Sequence, residues 1–202
     1  MKEDNFAGRA AGWDNPEKLR MTRKFVDEML LHVTPHAGSK ALEIGAGTGL
    51  VGLCIEPMVG QVVYEDTSGA MLGVLENKLP ENSNAVIFHG EVQEYIQQDI
   101  DLVFSCMAFH HIPDIDGLLK HLAAITNPNA VVVVGDLMSE DGSFHNFEPI
   151  PHPGFDVAGL SGQFSQAGFL VLTAHQYNIL TKESVDGKIR EYGQFILVAR
   201  KK

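Results

Sequence analysis

The residues best suited to chemistry lie in a run of alternating glycines, Glu43-Ile44-Gly45-Ala46-Gly47-Thr48-Gly49. Glycine carries no Cβ, so a ligand can approach the backbone closely, and the helix that follows points its N-terminus at that ligand. The plain alternative is an ordinary strand-to-helix turn. A strand pattern precedes this run and a helix pattern follows it, which is the context a ligand-binding turn needs. A dinucleotide fingerprint, G-x-G-x-x-G, requires glycine at position 50, where Leu50 stands. Glu43 places a negative charge two residues before the first glycine, opposing a pyrophosphate and attracting an ammonium or sulfonium. A cationic or zwitterionic ligand is expected, and a dehydrogenase is disfavoured.

Two further acids stand at strand ends. Asp66, 21 residues after Gly45, is spaced to accept hydrogen bonds from both hydroxyls of a ribose. Glu65 is its rival, although Asp66 directly precedes the helix start at Thr67-Ser68 and should point into the crevice. Glu91, in His89-Gly90-Glu91-Val92, can accept from an adenine amine while Val92 packs on the ring.

These residues are positioned by alternating strand and helix patterns. Strands are predicted over 40–44, 61–65, 85–89, 101–106 and 130–136. Helices are predicted over 17–33, 50–56, 68–79 and 115–125, with Ser68 as an N-cap and Pro57 and Pro80 as stops. Alternation of this kind argues for a parallel sheet wrapped by helices. The tail changes rhythm: strands over 169–177 and 194–199 are joined through Asp186-Gly187 with no helix between them, which implies a hairpin. The fold class is therefore α/β, a Rossmann-like doubly wound seven-stranded sheet of five parallel strands plus a C-terminal antiparallel hairpin. One domain over 1–202 is expected, with residues 1–38 as an arm and helix and 39–202 as the α/β core.

Composition bounds the partners. The chain has 202 residues, 45% of them hydrophobic, and a net charge of −11. An acidic surface repels phosphate backbones and anionic membranes, so neither nucleic acid nor membrane is expected as a partner. No stretch approaches the roughly 20 apolar residues that span a bilayer, and no apolar signal-peptide core is visible near residue 1. Cys54 and Cys106 are too few for a disulfide scaffold. A cytoplasmic monomer or homodimer is the expectation.

With these elements in place, the chain resembles the class I S-adenosylmethionine-dependent methyltransferases. The matching residues are the E-x-G-x-G-x-G turn, Asp66-Thr67-Ser68 with Met71, and Gly90-Glu91-Val92. Asp101-Leu102-Val103-Phe104-Ser105-Cys106-Met107-Ala108-Phe109-His110-His111-Ile112-Pro113-Asp114 joins them. Phe6 through Trp13-Asp14 looks like the F-D-x-x-A-x-x-W-D opening of small bacterial members, with Ala7 in place of the aspartate. The resemblance implies S-adenosyl-L-methionine as cofactor. It places Glu43, Gly45, Ala46, Gly47 and Gly49 beside the methionine part, and Asp66, Thr67 and Met71 about the ribose. Gly90, Glu91 and Val92 then meet the adenine, Cys106 and Met107 lie near the reacting methyl, and Trp13 closes the site as part of a lid.

The acceptor side is less defined. His110 and His111 follow the fourth strand, near the methyl position the resemblance implies, and either can serve as a base. The stretch 137–154 has no regular pattern, and loops of that length are usually functional. It carries Asp141-Gly142-Ser143-Phe144-His145, so His145 is a third catalytic candidate, with His152 close behind. None of the nine histidines falls in a recognised ligand spacing such as H-E-x-x-H, so no metal site is expected. The function read from these features is methyl transfer from S-adenosylmethionine to a small molecule. The alternatives are a protein or peptide acceptor, or a cofactor-binding regulatory protein without transfer activity.

Overall fold

The structure is a computed structural model that describes residue 4 and residues 6–202. Residues 1–3 and 5 of the expected arm lie outside the described residues.

Seven strands form one sheet in the order β3-β2-β1-β4-β5-β7-β6. They are β1 (Lys40–Ile44), β2 (Gln61–Asp66), β3 (Val86–His89), β4 (Ile100–Cys106), β5 (Thr126–Leu137), β6 (Phe169–Glu183) and β7 (Ile189–Lys201). The first five pair in parallel, and β7 pairs antiparallel with both β5 and β6. This is the doubly wound sheet with a C-terminal antiparallel hairpin expected from the sequence. The strand order reverses between β1 and β4, the point at which such sheets open a crevice at their carboxyl ends.

Helices cover both faces. Helix α1 (Pro16–His32), α2 (Gly52–Ile55) and α3 (Gly69–Glu76) lie on one side, and α4 (Ile115–Ile125) and α5 (Val157–Gln166) on the other. Alternate residues of each central strand serve the two layers. Leu102 and Phe104 of β4 join Phe25, Met29 and Leu75 in one core cluster, whereas Val103 joins Leu119, Leu122 and Phe164 in the other. That two-sided burial explains the nearly unbroken apolar run of β5.

Local rules set the helix boundaries. Asn15 caps α1 by accepting from the Glu17 and Lys18 N–H groups, with Pro16 at the first helical position. Ser68 caps α3 by accepting from Met71, as its position implied.

Several features differ from the expectations, among them α3, which ends at Glu76, and β5, which begins at Thr126. Helix α2 spans only Gly52–Ile55, and Glu56–Met58 tightens into a 3-10 turn around Pro57. Helix α5 was not expected at all: Gly159, Ser161, Gly162 and Ser165 are weak helix formers, and burial of Leu160 and Phe164 holds it. The hairpin runs well past both predicted ends, because residues 178–183 and 189–193 pair as an extended ribbon that carries many polar side chains. No helix among the described residues is long and apolar enough to cross a membrane.

Candidate active site

The glycine turn leaves β1 with Gly45, Gly47 and Gly49 at φ of +66°, +55° and +78°, a region closed to most side chains. Each glycine has its own neighbours. A Cβ on Gly45 would lie 2.3 Å from Ala108 Cβ, and one on Gly49 would lie 2.3 Å from Leu75 Cδ1. At Gly47 the nearest atom is the Trp13 indole nitrogen at 3.9 Å, so this is the face of the turn that a ligand can approach.

Three carboxyls hold the turn by its backbone. Asp66 Oδ2 accepts from the Gly47 N–H at 2.6 Å, and Oδ1 accepts from the Ser68 N–H at 2.8 Å. Glu65 Oε2 accepts from the Gly45 N–H at 3.2 Å. Glu43 Oε2 accepts from the Gly52 N–H at 3.1 Å. The two rivals at the end of β2 thus separate: Glu65 is 3% exposed and braces the start of the turn, whereas Asp66 is only half-buried. Glu43 lies behind the turn and is also 3% exposed, so it is placed to act on a ligand through the turn rather than by contact. Burial pushes its carboxyl well above the usual range, which weakens the negative charge counted in the sequence.

Burial, together with the charges of Asp66 and Glu91, also pushes the Glu65 carboxyl up to about 8. A folded-state value above the ordinary 4.5 means that the native protein keeps a proton the unfolded chain releases. Its contribution is fully present below about 4.5 and is lost as pH rises through 8. Thermal unfolding followed between pH 5 and 8 is expected to show a shallower fall for Glu65→Gln than for wild type. Identical slopes would contradict this.

Further along the crevice, Glu91 is exposed and starts a 3-10 turn whose Glu94 carboxylate accepts from the Glu91 N–H at 3.0 Å. Gly90 is held by its N–H to the Asp66 carbonyl, and Val92 is buried in the cluster that contains Phe109 and Leu118. Met71 is buried in α3, and Thr67 is exposed at its start. At the end of β4, Cys106 is half-buried, with its thiol pushed up by burial and by the charge of Asp136. Met107 adopts φ +60°, and its sulfur accepts from Gln194 Nε2 at 3.0 Å.

The arm crosses this crevice. Asp4 accepts from Ser68 Oγ at the start of α3, Trp13 stands over Gly47, and Asp14 accepts from Thr48 Oγ1 and pairs with Lys78. Phe6 packs edge-on against both Trp13 and His111. Sequence reasoning singled out Trp13 but missed Asp4 and Asp14. The adjacency of Asp14 to Trp13 was the available signal.

On the other side of the arm, three histidines meet. His110 and His111 sit in the 3-10 turn Phe109–His111 after β4, and His145 ends the turn Ser143–His145 in the loop after β5. Their ring centroids are 4.2, 4.9 and 5.4 Å apart. Asp136, fully buried at the end of β5, meets His110 Nδ1 at 2.6 Å and also accepts from the His110 and Leu137 N–H groups. Desolvation, followed by the neighbouring His110 charge, holds both His111 and His145 down to about 4, so both imidazoles are neutral at pH 7. His152 donates its N–H to the His110 carbonyl but turns its ring to the Ile112 carbonyl.

A family model described as a methyltransferase domain matches residues 42–132, from β1 into β5. Over that span the chain is similar to methyltransferase domains. The glycine turn, Asp66, Glu91 and the β4 end all lie inside the matched span; the arm and the His145 loop lie outside it. Among curated relatives, an uncharacterized methyltransferase of Schizosaccharomyces pombe is 29% identical over 56% of this chain and 44% of its own length. A ubiquinone biosynthesis O-methyltransferase of Rhizobium rhizogenes is 23% identical over 66% of this chain and 62% of its own. The EEF1A lysine methyltransferase 3 of Xenopus tropicalis is 27% identical over 56% and 54%. These matches span about half to three fifths of the relatives' lengths. In fold, a Haloferax volcanii methyltransferase solved in complex with the Trm112 activator superposes at a TM-score of 0.82, covering 99% of each chain at 15% identity.

The cofactor of such a domain is S-adenosylmethionine, and the crevice suits it. Asp4, Asp66 and Glu91 converge there, with Asp4 adding charge against Asp66 and Glu91 against the neighbouring Glu65. A pyrophosphate would meet repulsion in this set, whereas a sulfonium or ammonium relieves it. The open face of Gly47 admits the close approach.

Proposed function

We propose that this chain transfers the methyl group of S-adenosylmethionine to a small-molecule acceptor in the cytoplasm. When bound, the cofactor supplies an electrophilic methyl on a sulfonium. The chain's own part is to hold and enclose. Asp66 binds the ribose hydroxyls, and Glu91 with Val92 takes the adenine. Glu43, through the Gly52 N–H, and Glu65, through the Gly45 N–H, keep the glycine turn in its left-handed conformation against the methionine part. The arm before α1 acts as the lid, with Trp13 and Asp14 fastening it to Gly47 and Thr48, whereas α1 itself packs into the core.

The observation that carries the acceptor reading is the closure of the arm. Phe6 packs on His111 from one side, and Phe144 packs on His145 from the other. This leaves the histidine cluster between arm and loop, a setting suited to a compact acceptor. Asp136 fixes the His110 ring through Nδ1 and so turns Nε2 to the acceptor side, where the cluster removes the acceptor's proton. Alignment of the acceptor by these walls is where several kcal/mol of the barrier are removed.

Incubation with methyl-labelled S-adenosylmethionine, a panel of small thiols, phenols and amines, and a mixture of cellular proteins tests this reading. Label is expected in the low-molecular-mass fraction, and label confined to protein would overturn it. His110→Ala is expected to lower turnover roughly 100-fold, the lower range for loss of a general base, while sparing affinity for S-adenosylhomocysteine. Unchanged, absent turnover in both wild type and variant would favour a cofactor-binding regulatory protein.

A further inference from the structure

The three histidines offer more than a base. One ring nitrogen from each of His110, His111 and His145 can be chosen so that all three lie within 4.8 Å of one another. Three imidazoles are a ligand set for zinc-class ions, and a tetrahedral ion with bonds of about 2.1 Å needs its nitrogens about 3.4 Å apart. Rotation of the rings about their side-chain torsions supplies that closure.

Two details distinguish this cluster from a chance grouping. His110 is backed by a fully buried carboxylate, Asp136, on the ring nitrogen that would not bind an ion, which is the arrangement that orients and strengthens metal-ligating histidines. The Nδ1 of His145 is buried and has no hydrogen-bond partner among the described residues, which is costly for a polar atom unless something else meets it. A second grouping, Glu28, His32 and His175, lacks both features. There Glu28 Oε1 already meets His32 Nε2 at 3.1 Å and His175 Nε2 at 2.9 Å, so these groups satisfy one another near the surface.

We propose that His110, His111 and His145 bind one zinc-class divalent ion, with Asp136 as the positioning residue behind His110, and that the remaining coordination position takes an acceptor that ionises at sulfur or oxygen. The acceptor half of this statement rests on the methyl-transfer reading; the ion site does not. Such an ion lowers the acceptor's pKa in the way it lowers that of bound water, and so does the work assigned above to a base. The balance is simple. The acceptor X–H gives its proton to water, the X lone pair forms the new C–X bond, and the C–S bond of the sulfonium breaks with its pair left on sulfur as S-adenosylhomocysteine. Asp136 offsets part of the added charge. Lys182, the nearest cation on the loop side, is directed to the Phe144 carbonyl and ring. The sequence hides the site because His145 is brought to the others only by the loop after β5.

Cobalt titration of metal-stripped protein tests the proposal, read by the intense visible bands of four-coordinate cobalt. One ion per chain is expected. His111→Ala and His145→Ala should each weaken binding roughly 100-fold, and Asp136→Asn roughly 10–100-fold. His175→Ala should change nothing. Adding an aliphatic thiol or a catechol to the cobalt form should shift the bands, and comparing the two tells sulfur from oxygen. Equal cobalt binding by wild type and His145→Ala, or loss of binding in His175→Ala, would overturn the ion site. Bands unmoved by either probe would overturn the acceptor position. Protein that binds S-adenosylhomocysteine but no cobalt fails this proposal alone; protein that binds cobalt but not S-adenosylhomocysteine keeps the ion site and fails the methyl-transfer reading.

Discussion

Asp66→Ala should leave a folded protein whose affinity for S-adenosylhomocysteine has fallen roughly 100-fold or more, about 2.7 kcal/mol. Two losses combine in that figure. The acceptor for the ribose hydroxyls disappears, and so does the anchor for the Gly47 and Ser68 N–H groups, bonded at 2.6 and 2.8 Å. Unhooking Gly47 matters because its open face is the surface the ligand approaches. Asp66→Asn keeps one acceptor oxygen and should fall between, near 10-fold. Trp13 gives a direct readout: it is the single tryptophan, and its indole lies against Gly47, so ligand entry should change its fluorescence. A titration in which Asp66→Ala binds within about 3-fold of wild type would contradict the assigned role.

Gly45→Ala is expected to be the most destabilising small change in the crevice. The residue holds φ +66°, which costs a non-glycine about 1 kcal/mol or more. The new Cβ would also sit 2.3 Å from Ala108 Cβ, a contact between two short groups that only a backbone shift can relieve. Together these should remove about 2–4 kcal/mol, a fall in Tm of roughly 5–15 °C for a chain of this size. The shift should also disturb the Glu65–Gly45 bond and weaken cofactor binding. The double variant Gly45→Ala/Ala108→Gly should recover the part due to contact and leave the part due to φ. An unchanged Tm in the single variant would contradict the packing described here.

The sheet was readable because its signals are local. Strand β1 and helix α4 fall at the predicted bounds, since the KALEI run and the apolar spacing from Ile115 to Ile125 leave little choice. The ends of β6 and β7 were not readable, because an exposed ribbon needs no apolar run to pair its backbone. Helix α5 was hidden by its glycines and serines and depends on tertiary burial of two side chains.

In the candidate site, the glycine turn and the β2 acids announce themselves by spacing, but their division of labour does not. Only the fold shows that Glu65 turns to Gly45 while Asp66 turns to Gly47. The pairing of His110 with Asp136, the meeting of His145 with His110 and His111, and the fastening of Asp14 to Thr48 are contacts between residues far apart in the chain. No window of sequence contains them.

The central claim is that the crevice under the arm is built for a sulfonium cofactor and not for a dinucleotide. Calorimetric titration of the purified protein with S-adenosylhomocysteine, and separately with NAD, tests it most directly. One site per chain with micromolar or tighter affinity for S-adenosylhomocysteine, and no heat with NAD, is the expected result. Binding of NAD, or of neither ligand by well-folded protein, would contradict it.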